Sequence, residues 1–120
     1  MSYTFYCGKN TAPNQIEPVF EFDEMDEERI DHTGKRIKNP RYIRFSCLNM
    51  SNGNYYTFMD ILDIRLEEGE PWHSTLDEFE KLIDRSIGTL EYEYLLNYAQ
   101  YLKSMINVGR KCGATLIYSA

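Results

Sequence analysis

The segment Glu21-Phe22-Asp23-Glu24-Met25-Asp26-Glu27-Glu28 is the densest group of chemically capable side chains in this 120-residue sequence. Carboxylate oxygens at that density are the hard ligands that divalent cations prefer. The run lacks the Asp-x-Asp-x-Asp-Gly spacing that shapes a calcium loop. The plainer expectation is a solvated segment whose charge is answered by Lys35, Arg36 and Lys38 across a turn at His32-Thr33-Gly34. No metal site and no cofactor is assigned.

Acid-base chemistry would draw on Asp60, Asp63, Glu67, Glu68 and Glu70, or on His32 and His73, the two histidines of the chain. Nothing in their spacing argues for the burial that tunes a catalytic carboxylate. Cys7, Cys47 and Cys112 are odd in number and far apart, which fits reduced thiols better than a disulfide framework. The sequence contains no Gly-x-Ser-x-Gly, Walker loop, dinucleotide fingerprint, His-Glu-x-x-His or Cys-x-x-Cys. The easily recognised hydrolases, nucleotide enzymes and zinc sites are therefore set aside, and no catalytic residue is assigned.

Charge and aromatic content point to binding. The formal net charge is -6, the wrong sign for direct nucleic-acid binding, which needs a basic face. Glu17 to Asp31 carries eight acids and one arginine, Lys35 to Arg44 five bases and no acid, and Asp60 to Asp84 nine acids against two bases. A field of this kind steers encounter with a basic partner. Asp23, Glu24, Asp26, Glu27 and Glu28 form the expected contact patch. Ten tyrosines add large, rigid area with a polar tip. Tyr92, Tyr94 and Tyr101 on an expected helix, and Trp72 just before another, complete the candidate surface. The plainer reading of Trp72 is that it packs over the start of that helix.

These residues must be positioned by a small set of elements. Tyr3, Phe5 and Cys7 alternate with Thr4 and Tyr6, and Ile16, Phe20 and Phe22 with acids, the period of half-buried strands. Asn52-Gly53 between alternating segments predicts a type I′ hairpin that pairs Cys47 with Phe58 and puts Ile43, Phe45, Tyr56 and Phe58 on one face. Asp60 fits that face poorly. The stretch from about Glu24 to Pro40 is expected to be an irregular loop, being charged and poor in apolar residues.

Ser74 and Thr75 precede Asp77 and Glu78 at capping-box spacing, and Leu76, Phe79, Leu82, Ile83 and Ile87 follow at helical intervals. Gly88 should end that helix and Thr89 cap the next. The second helix, about Leu90 to Val108, has an apolar arc of roughly 160°. That is wide enough to be sandwiched inside the fold or covered by a second copy of the chain. Ala114 to Tyr118 reads as a returning strand.

The expectation is one α+β domain over residues 1–120, with an antiparallel sheet of four to five strands and two helices packed on one face, in the order β-β-β-β-α-α-β. With no basic leader and no long apolar run, it reads as cytoplasmic and not membrane-spanning. The functional expectation is a non-catalytic binding module for a protein with a basic surface, of the immunity-protein, inhibitor or anti-defence type. The alternatives are a small-ligand or nucleotide-binding protein with a tyrosine-lined pocket that uses Lys38, Arg41 or Arg44, or a small enzyme without a signature.

Overall fold

The computed structural model describes residues 2–13, 15–20, 25–67 and 71–120. Among them the chain forms β1 (Ser2–Ala12), β2 (Gln15–Pro18), β3 (Glu28–Ile30), β4 (Arg36–Lys38) and β5 (Cys47–Ser51). These are followed by α1 (Asn52–Ile61), β6 (His73–Thr75), α2 (Leu76–Ser86), a 3-10 turn (Ile87–Thr89), α3 (Glu93–Lys111) and β7 (Leu116–Ser119). The class is α+β with an antiparallel sheet, as the sequence indicates, but with three helices rather than two.

β1 is the hub of the sheet, since its pairs with β2, β5 and β7 are all antiparallel, and β7 also pairs antiparallel with β6. Tyr6 stands opposite both Cys47 and Tyr118, and Gly8 opposite both Pro18 and Leu116. β5 and β2 therefore share one edge of β1, with β7 on the other. The alternation read from the sequence holds: Phe5 and Cys7 are fully buried, while Thr4 and Tyr6 are only half-buried on the opposite face.

All three helices cover the Phe5 face. The Phe5 ring lies 5.6 Å from Tyr55 of α1 and 6.0 Å from Phe79 of α2. On α3, Gly109 sits so close to β1 that a Cβ there would fall 2.8 Å from both the Cβ and the Sγ of Cys7. Leu95, Leu102, Met105 and Ile106 of α3 are fully buried, each contributing about 1.5 to 3 kcal/mol by leaving water. The wide apolar arc of this helix is thus covered largely within its own chain.

The Asn52-Gly53 hairpin is not formed. Ser51 is instead the N-cap of α1, its hydroxyl accepting the Asn54 N–H at 3.3 Å, and neither Asn52 nor Gly53 has the positive φ of a type I′ turn. Two longer-range facts outweigh the local turn signal. Tyr55, Phe58, Met59 and Leu62 recur at helical spacing and are all buried, and β5 finds its partner in β1, with Ser2 opposite Ser51 and Phe5 opposite Leu48. Asp60, awkward on a strand, lies exposed on the helix. α1 ends with Asp63 at φ 58, the Ile64 N–H bonding the Met59 carbonyl and the Asp63 N–H the Asp60 carbonyl, a Schellman closure.

The first helix of the sequence reading is close to what forms. Thr75 caps α2 by accepting the Glu78 N–H at 3.2 Å, and Asp77 and Glu78 sit in the first turn where the helix dipole favours anions. Thr89 does not cap the next helix; its hydroxyl donates to the Ser86 carbonyl inside the 3-10 turn, and α3 starts later, at Glu93, without a side-chain cap. Arg110 binds Asp77 and Glu80, and Lys103 binds Asp84, so these cations tie α3 to α2.

Candidate functional site

Two surfaces stand out. The first replaces the loop expected over residues 24–40: Glu28 pairs with Lys38, Arg29 with Ile37 and Ile30 with Arg36, which makes β3 and β4 an arm apart from the main sheet. Its turn is built by Asp31, whose Oδ1 accepts from the Thr33 N–H, the Thr33 hydroxyl and the Lys35 N–H at 2.9, 2.6 and 2.9 Å. The Thr33 hydroxyl, followed by the Lys35 N–H, holds the Asp31 carboxyl below its usual acidity range. At the base, the Asn39 N–H donates to the Glu27 carbonyl at 2.8 Å. Every residue of β3 is exposed, and Ile30 is 70% exposed.

The acidic patch is divided by this arrangement. Asp23 and Glu24 lie outside the described residues. Asp26 and Glu27 are exposed just before β3, and Glu28 opens it directly opposite Lys38. Within the described part of the acidic run, Glu28 stands opposite Lys38 across the His32-Thr33-Gly34 turn.

The aromatic candidates separate in the same way. Trp72 is half-buried, its ring 5.1 Å from Phe79 and 5.9 Å from Phe5, so it packs over the start of α2. Tyr101 is also half-buried: its ring meets Phe45 edge-on at 4.8 Å and its hydroxyl donates to the Cys47 carbonyl at 2.8 Å. Burial, then Cys47 and Tyr42, push its ionisation upward. Its position is explained by packing. Tyr92 and Tyr94 are open, 59% and 42% exposed, with rings 5.8 Å apart. Tyr94 meets Tyr98 edge-on, and Tyr98 accepts from Asn54 Nδ2 at 3.1 Å, which anchors this aromatic run to α1.

The second surface is a cleft of about 1190 Å³ between the β1–β2 hairpin and the ends of β6 and β7. Glu17, Trp72, His73 and Tyr118 line it, together with the amides Asn10 and Gln15. Cross-strand register places His73 opposite Tyr118 and Tyr118 opposite Tyr6, on the sheet face away from the helices. The Tyr118 ring stacks on Tyr6 at 5.5 Å and lies across Gly8, where any Cβ would come within 2.9 Å of it. Burial, then Tyr6, Cys7 and Glu17, push the Tyr118 phenol up to about 12. It therefore stays a neutral hydrogen-bonding ring at any ordinary pH.

Lys38, Arg41 and Arg44 do not line this cleft. Arg44 instead lies 5.2 Å over the Phe45 ring. Cys7 is sealed in the core, its thiol donating to the Met105 carbonyl at 3.6 Å and, chiefly through burial, pushed up to about 12. It is no nucleophile. Among the described residues no three His, Cys, Asp or Glu side chains gather as a metal site would require, and no helix is long and apolar enough to cross a membrane.

Sequence reasoning singled out Trp72 and weighed His73. It missed Glu17, counted only as part of an acidic run, and Tyr118, read only as a strand aromatic. Alternation along β7 and β1 is the signal that could have put Tyr118 and Tyr6 on one face. No protein-family model, curated protein or solved structure matches the chain.

Proposed function

We propose that this protein is a non-catalytic binding module that engages a partner protein, of the inhibitor or immunity-protein kind, through the β3–β4 arm and the acidic residues at its base. The observation that carries the reading is the exposure of the arm: all of β3 faces solvent, and Ile30 is 70% exposed. A two-stranded hairpin without a covering layer is marginal by itself, and ordering its backbone costs about 1 to 2 kcal/mol per residue. A partner that covers Ile30 and meets the carboxylates of Asp26, Glu27 and Glu28 accounts for both the arm and its charge. Tyr92 and Tyr94 supply a second exposed contact of the chemistry that interfaces favour.

The test exploits the base of the arm, where the hydrogen bond between Asn39 and Glu27 holds the two ends together. Residues 28–38 are replaced by a short Gly-Ser link, and wild-type and armless chains are compared by capture from native host extract and then by association kinetics with the captured partner. The expected outcome is an unchanged core melting transition with the partner lost. Separately, Asp26→Asn, Glu27→Gln and Glu28→Gln should lower the association rate and flatten its salt dependence. Undiminished binding by the armless chain overturns the proposal.

A further inference from the structure

Three helices cover the Phe5 side of the sheet, and among the described residues no element covers the other side. Strand register assigns that open face. His73, Tyr118, Tyr6 and Cys47 form one row across it, and Thr75, Leu116, Gly8 and Pro18 the next. Fourteen paired residues alternate onto it ahead of the bulge that follows Asn10, and none is Asp, Glu, Lys or Arg, in a chain 27% charged. Sheet faces that meet only water are ordinarily polar, whereas the middle of this one is aromatic and aliphatic. The Tyr118 and Tyr6 rings stack there, and the absent side chain of Gly8 makes room for Tyr118.

The cleft of about 1190 Å³ opens on this face, since Asn10, Ile16, His73 and Tyr118 share its parity and all line the cleft. Thr11 and Gln15 join them from the β1–β2 hairpin. Glu17, the one acid or base of the lining, stands opposite Lys9 and so alternates to the helix side of the sheet. What it sets over Gly8 is its main-chain carbonyl.

These features narrow the occupant. An anion would find no lysine or arginine in the lining. A purely apolar ligand would take water from the Asn10 and Gln15 amides, each with two donors and two acceptor lone pairs, and leave them unpaired at a cost. A second copy of the chain has too little to hold: four strands at about 4.8 Å spacing by seven residues at about 3.4 Å, Thr4 to Asn10, span roughly 450 Å². Stable protein interfaces bury about 800 Å² on each partner. The face therefore suits a small neutral molecule that combines an apolar face with a rim of hydroxyls. The ring of a sugar has that form, with C–H groups on its face to lie against a phenol ring and hydroxyls at its edge to meet amides.

We propose that the cleft over the open face of the sheet binds a neutral saccharide, which stacks one ring on Tyr118 and hydrogen-bonds through its hydroxyls to Asn10, Gln15 and His73. The volume exceeds the roughly 300 to 1,000 Å³ of ordinary small-molecule pockets, so an oligosaccharide is the better match than a single sugar. The site shares no residue with the β3–β4 arm and does not depend on the arm's partner.

Trp72 lines the cleft and is the only tryptophan of the chain, so its emission reports occupancy. The probes are cellotriose, maltotriose and chitotriose, each titrated to millimolar concentration against wild type. A saturable change in emission is expected with at least one of them, weakened roughly tenfold by Tyr118→Leu and roughly fivefold by Asn10→Ala. Tyr118→Phe keeps the ring and should bind nearly as wild type. The chain with residues 28–38 replaced should bind the sugar unchanged, so failure of the arm and failure of this site are told apart. Glucose 6-phosphate should bind no better than glucose. No saturable response to any of the three probes overturns the proposal, as does full binding by Asn10→Ala and Tyr118→Leu, or a preference for the phosphorylated sugar. A concentration-dependent dimer in sedimentation that Tyr118→Leu abolishes also overturns it, in favour of a second copy on this face.

Discussion

The Tyr101 hydroxyl donates a 2.8 Å hydrogen bond to the main-chain carbonyl of Cys47, joining the middle of α3 to the first residue of β5. Cys47 is also opposite Tyr6 in the sheet, so one side chain fixes the helix layer against the strand edge. Tyr101→Phe keeps the ring against Phe45 and removes only that donor. It should lower stability by about 1 kcal/mol, seen as a fall in urea midpoint at unchanged slope. An unchanged midpoint would mean that water replaces the phenol at the carbonyl.

Phe45 and Phe58 should part company under truncation. Phe58 is fully buried, and Phe58→Ala should cost about 3 to 5 kcal/mol. Phe45 is half-buried and held at φ 65, a backbone conformation that costs an L-residue about 1 to 2 kcal/mol. Phe45→Ala should therefore cost less than Phe58→Ala, and Phe45→Gly should be more stable than Phe45→Ala by about 1 kcal/mol, the reverse of the usual order. Alanine proving the more stable of the two would place the strain elsewhere.

The contact of α3 with β1 leaves no room at Gly109. Gly109→Ala would set a methyl 2.8 Å from both the Cβ and Sγ of Cys7, neither of which is the free end of a long side chain. The helix must lift from the strand, at about 1 to 3 kcal/mol, although alanine is the better helix former. Thermal unfolding measures this; a gain in stability would show that the two elements can separate freely.

The Asp31 turn gives the arm a pH dependence of known sign. Hydrogen bonds from Thr33 and Lys35 favour the carboxylate and hold its pKa below the usual aspartate range. A depressed folded-state pKa adds stability that is fully present above the unfolded value and lost as pH falls through the folded one. The Thr33 and Lys35 amide resonances should move together as pH falls, with a midpoint below that of an ordinary aspartate. In Asp31→Asn that titration should be missing; if it persists, another group controls the turn.

Most of the helical layer was legible in the sequence, because α2 and α3 carry long apolar periods and α2 has a side-chain cap at Thr75. The Asn52-Gly53 signal failed because it is purely local, while the helix that overrode it draws on four buried residues spread over two turns. β3, β4 and β6 are three residues each, too short for a period to register, and β6 was concealed within the capping sequence of α2. The cleft was hardly legible at all: Glu17, His73 and Tyr118 are far apart in sequence, and only the pairing of β2 with β1, β1 with β7 and β7 with β6 brings their strands into one sheet.

The central place of β1 has a consequence for how the chain comes to be folded in the cell. Its residues leave the ribosome first among the strands described, yet its inner half is paired with β7, which leaves last. Until then Phe5 and Cys7 have no Ile117 beside them, and one edge of β1 stays open. Because contacts between distant parts of a chain form slowly, the nascent polypeptide must carry an unsealed strand until synthesis has passed β7, and a chaperone that shields that edge would act within this interval.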